Sequence, residues 1–146
     1  MSLGMAGFAL MALLGGCGRA PSPTIVEAEG IIRLNGVPLS NAQVRFVPVG
    51  DLGPEYIATG MTDKAGRFQL RCNGQPGACA GECRVLVMEA DIPARLQGED
   101  VQDQLVAYLR GLGGRPIPPQ YADLTASPLT ANVTAEQKQY NFDLRR

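Results

Sequence analysis

Residues 67–72 read Arg-Phe-Gln-Leu-Arg-Cys, a strict alternation of polar and apolar side chains. In an extended chain successive side chains point to opposite faces. The alternation therefore commits Phe68, Leu70 and Cys72 to one face and Arg67, Gln69 and Arg71 to the other. The same period of two recurs along most of the chain. Between Thr24 and Leu34, one face carries Val26, Ala28, Gly30, Ile32 and Leu34, and the other carries Glu27, Glu29 and Arg33. Ala42, Val44 and Phe46 alternate with Gln43 and Arg45, and Tyr56–Thr62 is another short β-type run. Cys83, Val85 and Val87 share a face, and we expect the Cys83–Met88 run to be the strand partner of 68–72. Leu129, Ala131 and Val133 alternate near the end, followed by Tyr140, Phe142 and Leu144.

The turns between these runs have their own chemistry. Asn35 and Gly36 are a two-residue hairpin signal, since both types tolerate the positive φ that such turns demand. In TDKAGRF (62–68), Asp63 caps the turn with its side chain and Gly66 supplies a positive-φ position. Eighteen glycines and eleven prolines would suit disorder, but 45% of residues are hydrophobic, so they read as turns between short strands. The expected fold class is all-β, a sandwich of about seven strands. One segment breaks the period. From Glu99 to Leu109, Val101, Leu105, Tyr108 and Leu109 recur at helical spacing, with Glu99, Asp100 and Asp103 at the N-terminal end where the helix dipole favours them. Gly111, Gly113 and Gly114 end this short helix, which we expect to pack on the sandwich as an insertion spanning 89–116.

Composition narrows the function classes. The chain has no histidine, which removes the commonest general acid–base, the usual partner of a nucleophilic serine or cysteine, and the commonest metal ligand. It has no tryptophan, a favoured stacking platform in clefts. Net charge is −1 with both signs mixed along the chain, so there is no electrostatic footprint for nucleic acid and no polybasic patch for anionic lipid. Asp63 with Asp51 or Glu55 does not follow the spacing of a calcium loop. Four scattered tyrosines, Tyr56, Tyr108, Tyr121 and Tyr140, suit core or rim positions. The expectation is a non-enzyme without cofactor or metal.

The N-terminus supplies the address. From Met1 to Gly18 there is no charged residue, and Leu3 to Leu14 form an apolar stretch diluted by Gly4 and Gly7. The stretch is shorter than the roughly 20 residues of a membrane-crossing helix and suits a secretory signal. It ends in LLGGC (13–17), which resembles a bacterial lipobox: leucine, two small residues and a cysteine. The first basic residue, Arg19, lies beyond that cysteine, a departure from the usual signal pattern that leaves two expectations open: a start codon further upstream, or inefficient export. The resemblance implies cleavage after Gly16, a diacylglyceryl group on Cys17, and a cell-membrane, extracytoplasmic location. Gly18, rather than an aspartate, leans this toward the outer membrane. The expected organisation is a signal peptide over 1–16, a lipidated cysteine and proline-containing linker over 17–24, and one β domain over 25–146.

Four stretches occur in order along the rest: GIIRLNGVPLSNAQVRFVPV (30–49), GMTDKAGRFQL (60–70), GACAGECRVLV (77–87) and IPPQYADLTASPLTANVTAEQKQYNFDL (117–144). Together they resemble the carboxypeptidase-regulatory-like, or transthyretin/prealbumin-like, domains of secreted bacterial lipoproteins. The resemblance implies an Ig-like sandwich without catalysis and names no ligand. Cys83 stands where that pattern carries an aromatic residue. With Cys17 acylated, Cys72, Cys79 and Cys83 remain. Read as the ends of adjacent antiparallel strands, Cys72 and Cys83 suit a cross-strand disulfide, with Cys72–Cys79 the rival pairing. The expected role is a structural or protein-interaction module of the cell envelope, held at the membrane through Cys17. Its partner would be an envelope protein or a glycan, and the 89–116 insertion is the first candidate contact surface. A carbohydrate or small-ligand binding module is the alternative.

Overall fold

The computed structural model describes residues 22–146. The LLGGC stretch and Cys17 lie outside the described residues. The described chain is mostly β, with one helix. Its strands are β1 (Ile25–Val26), β2 (Glu29–Leu34), β3 (Val37–Pro38), β4 (Ala42–Pro48), β5 (Ala58–Met61), β6 (Arg67–Gln69), β7 (Arg71–Cys72), β8 (Gln75–Pro76), β9 (Ala78–Cys79), β10 (Gly81–Glu89), β11 (Thr130–Val133) and β12 (Phe142–Leu144). The helix, α1 (Gln102–Gly111), is entered through a 3₁₀ turn at Glu99–Val101.

The strands form a larger sheet in the order β11-β10-β4-β5-β7-β8 and a smaller one in which β2 lies between β12 and β3 and also pairs β6. β1 pairs only β9. The chain passes from one sheet to the other at Leu70, since β6 pairs β2 while β7 pairs β5. β12 runs parallel to β2, with Phe142 opposite Ile32 and Leu144 opposite Leu34.

The alternating faces carry the core. Ala42, Val44 and Phe46 of β4, Cys83, Val85 and Val87 of β10, and Phe68, Leu70 and Cys72 of β6–β7 are all buried in one cluster with Ile32, Leu34 and Leu144. Phe46 lies at its aromatic centre, edge-on to Tyr140 at 5.7 Å and Phe142 at 6.1 Å and tilted against Phe68 at 6.2 Å. Edge-to-face contacts are the favoured geometry for such rings. Gly30 has no alternative in this core: the backbone carbonyl of Tyr140 occupies the space a Cβ would need. Two buried hydroxyls stitch the larger sheet. Thr62 Oγ1 accepts from Ala42 N at 2.9 Å, and Ser127 Oγ donates to Val85 O at 2.6 Å.

Three expectations are corrected. The first strand is broken at Glu27–Ala28 into β1 and β2, which pair different neighbours. Cys83–Met88 is not the partner of the 68–72 run. β10 instead takes β4 along seven residue pairs, including Val85↔Phe46 and Val87↔Val44, and takes β11 on its other side. Two long apolar strands in register bury far more than the two-residue β7 offers, and β7 folds back on β8 through Asn73 and Gly74. Finally, the helix forms where its periodicity predicts, but α1 buries none of its residues completely. Leu96, in a separate and earlier 3₁₀ turn at Ala94–Leu96, is the buried anchor of the insertion.

Candidate functional site at the two ends of the longest strand

β10 has nine residues, so it spans roughly 27 Å at the usual rise per residue. Distinctive chemistry collects at each end of it.

At the Glu89 end the helical insertion leaves and returns. Arg115, mostly buried, gathers the junction. Its Nε donates to Glu89 Oε2 at 2.7 Å, its Nη1 to Gly113 O at 3.0 Å, and its Nη2 to Asn41 O at 3.1 Å and to Ser40 O. Glu89 Oε1 accepts from Ile117 N at 3.4 Å. A planar guanidinium suits this task because its fork of donors can meet a carboxylate and several carbonyls at once. Asn41 Nδ2 donates to Tyr108 Oη at 3.1 Å, which pins α1 to the turn before β4. Below the helix lies a groove of about 500 Å³ walled by Ile92, Tyr108, Leu109, Leu112 and Pro116. Ile92, Val106 and Leu109 remain exposed, Leu109 at 46%.

The four turn residues expected from sequence lie at this same end. Asn35 and Gly36 have φ of 50° and 80°, the pair of positive values that a two-residue hairpin turn requires. Gly36 N donates to Asp143 Oδ1 at 3.0 Å, which ties the turn to β12. Asp63 Oδ1 accepts from Ala65 N and Arg67 N, both at 2.9 Å. The amide of Arg67 does most to hold the Asp63 carboxyl below its ordinary pKa, with Ala65 N and the Arg67 charge adding to the effect. Gly66 has φ 75°, and its carbonyl accepts from Ile32 N at 2.8 Å. Asp51 and Glu55 lie beyond the other end of β5 from Asp63.

At the Gly81 end the described chain begins. Ala80 N donates to Thr24 O at 2.8 Å, and Val49 N donates to Glu82 O at 2.9 Å. Inside this end lie the three thiols. Cys72 Sγ is 3.8 Å from Cys79 Sγ, and these two point toward the carbonyls of Glu55 and Tyr56 at 3.8 and 3.6 Å. Cys83 Sγ approaches Cys79 O at 3.8 Å. All three are free and buried. The expected adjacency of Cys72 and Cys83 is not found, because β4 and β5 stand between β10 and β7 in the sheet. The thiol closest to Cys72 is that of the rival, Cys79. Burial pushes the Cys72 thiol up to about 12, helped by the Cys79 hydrogen bond, and the Cys83 thiol up to about 11. A thiol acts as nucleophile or metal ligand only as thiolate, so this environment keeps both inert.

Sequence reasoning missed Arg115 and Glu89. Neither has a local signal, because their pairing depends on a 26-residue excursion returning to its own base. No family model matches the chain, and no curated protein or solved structure matches it.

Proposed function

We propose that this chain is a non-catalytic, membrane-anchored, extracytoplasmic lipoprotein. Its domain is an Ig-like β-sandwich of the carboxypeptidase-regulatory-like, prealbumin-like kind, and it presents the helical insertion to a partner in the cell envelope. The observation that carries the reading is the polarity of β10. The backbone leading from Cys17 enters beside Gly81, and the insertion is built at Glu89, roughly 27 Å further along the same strand. A lipid on Cys17 would hold one end at the bilayer and leave the other to project from it.

The ionisable groups agree with a non-catalytic role. Asp63 and Asp123 are exposed turn caps whose hydrogen bonds lower their pKa, which makes them weaker bases. The Cys72 and Cys83 thiols are shifted the opposite way, toward weaker nucleophilicity at neutral pH. The exposed Ile92 and Leu109, which line the groove, offer an apolar contact of the kind that protein interfaces place at their centre.

Intact mass of the membrane-extracted protein tests the anchoring. A chain beginning at Cys17 and carrying a diacylglyceryl or triacyl mass is the expected result. A chain that retains Met1 with an unmodified Cys17 overturns the reading.

A further inference from the structure

Around the Gly81 end, three large apolar side chains are exposed on two separate loops: Val49 at 61%, Leu52 at 43% and Leu124 at 52%. They border one open groove of about 440 Å³, with Val47, Ile57 and Arg84 among its walls. Loop tips are usually polar, so three apolar residues meeting there call for an apolar contact. The Val49 amide is bonded to Glu82, two residues beyond the alanine that holds Thr24. The loop tip and the incoming chain therefore share one end of the domain.

We propose that this end is a membrane-contacting surface, with Val49, Leu52 and Leu124 seated in the interfacial region of a zwitterionic bilayer. The inference rests on lipidation of Cys17. From Cys17 to Thr24 is seven residues, which reach at most about 25 Å when fully extended. An acyl-bearing Cys17 thus keeps the Gly81 end close to the headgroups, whereas the insertion stands a further strand length away. Three side chains would bind a bilayer weakly by themselves. The tether makes their contact intramolecular and raises its effective concentration, so a weak patch suffices. Charge selects the lipid. Asp51 and Asp123 directly precede Leu52 and Leu124 in sequence, and Glu82 is the residue whose carbonyl holds Val49 N, while Arg84 is held by Ser127 O at 2.8 Å, so an anionic surface would be repelled.

The absence of tryptophan makes the test direct. Full-length Leu52→Trp and Val106→Trp variants are extracted from membranes, checked by mass for acylation, and reconstituted into phosphatidylcholine vesicles containing acyl-chain-brominated lipid. The reporter at position 52 should be quenched and blue-shifted several-fold more than the one at position 106, and added phosphatidylglycerol should weaken that quenching. Leu124→Trp, on the second loop, repeats the measurement in case the first variant misfolds. An acylated protein with no quenching at 52 or 124 overturns the membrane contact while leaving the anchor intact. Shielding of those positions from aqueous iodide without lipid quenching overturns it in favour of a protein contact. An unacylated chain overturns the anchor and this inference with it.

Discussion

Arg115 Nε lies 2.7 Å from Glu89 Oε2, and this contact closes the base of the helical insertion, joining its first residue to its next-to-last. The two are 26 positions apart. Nothing within α1 is fully buried, so the insertion's placement depends on its base, on Leu96 and on the Tyr108–Asn41 bond rather than on a packed helix face. Arg115 is only 14% exposed while Glu89 is half exposed. The burden therefore falls on the arginine and on the carbonyls it serves.

Replacing Arg115 should loosen the whole insertion. Arg115→Ala removes charge-assisted bonds to Glu89 and to three backbone carbonyls, a loss of about 1.5–3 kcal/mol. Arg115→Lys should recover little, because a point ammonium cannot reproduce the fork. Glu89→Gln, at the more exposed end, should cost about 1 kcal/mol or less. Chemical denaturation measures the totals. Limited trypsinolysis locates the effect: Arg95 and Arg110 should become cleavable in Arg115→Ala under conditions where the parent protein resists. Equal resistance would show that the guanidinium does not hold the segment.

The Asp63 turn should make stability depend on acid. Its carboxyl is held below the ordinary value of 3.8, chiefly by the Arg67 amide. A group whose folded pKa is depressed stabilises the fold above its unfolded pKa, and that contribution disappears as pH falls through the folded value. Asp63→Ala should therefore lower the melting temperature at pH 7 and make a smaller difference near pH 3. Asp63→Asn should fall between, since an amide oxygen still accepts from Ala65 N and Arg67 N. A pH-independent difference between parent and Asp63→Ala would contradict this account.

The faces of the strands were legible in the sequence because burial follows the period of two. Ala42, Val44, Phe46, Val85 and Val87, expected on inner faces, are each 0% exposed. Asn35, Gly36, Asp63 and Gly66 were legible because turn chemistry is local. Strand partnership was not. The assumption that Phe68–Cys72 pairs the next good strand fails because the chain changes sheets at Leu70, and no single residue there announces the crossing. Arg115 was hidden for the same reason. A long-range contact leaves no period and no motif.

Phe46 should be the costliest single position in the core. It is fully buried and meets Phe68, Tyr140 and Phe142, which join it to β6, to the segment entering β12 and to β12 itself. Phe46→Ala should destabilise by about 3–5 kcal/mol through lost contacts and the cavity left behind. Phe46→Leu keeps most of the apolar volume and should cost substantially less. Urea midpoints of the two variants give the comparison, and a Phe46→Ala loss no larger than that of Phe46→Leu would show that the core relaxes around the site.

In the reduced protein, alkali should act through the buried thiols. Burial raises Cys72 to about 12 and Cys83 to about 11, against an ordinary value of 9.0. The unfolded chain therefore releases its thiol protons first, and stability falls with rising pH from about 9 until the folded values are passed. Cys72→Ala/Cys83→Ala should flatten that alkaline limb. An unchanged slope would assign the alkaline loss to other groups.

Oxidation should join Cys72 to Cys79 and leave Cys83 as the thiol. The first two sulfurs are 3.8 Å apart, whereas Cys83 belongs to a strand separated from β7 by two others and turns toward the Cys79 carbonyl. A disulfide-bearing oxidant such as oxidised glutathione would supply the chemistry: one cysteine thiolate attacks the oxidant and displaces one glutathione thiolate, the second attacks the cysteine sulfur of the resulting mixed disulfide and displaces the other, and two equivalents of reduced glutathione leave. Because both thiols are buried and Cys72 is shifted toward its neutral form, exchange should be slow in the folded protein and fast during refolding, when the 72–79 loop is open. Closing that loop should contribute about 2–3 kcal/mol on the chain-entropy model. Refolding with oxidised glutathione, followed by alkylation and mass spectrometry, should show Cys83 as the one modified residue among Cys72, Cys79 and Cys83 in the parent protein. Cys83→Ser should show none and retain the gain in stability, whereas Cys79→Ser should lose that gain. A cross-link that survives in Cys79→Ser would instead join Cys72 to Cys83, which would require β4 and β5 to part.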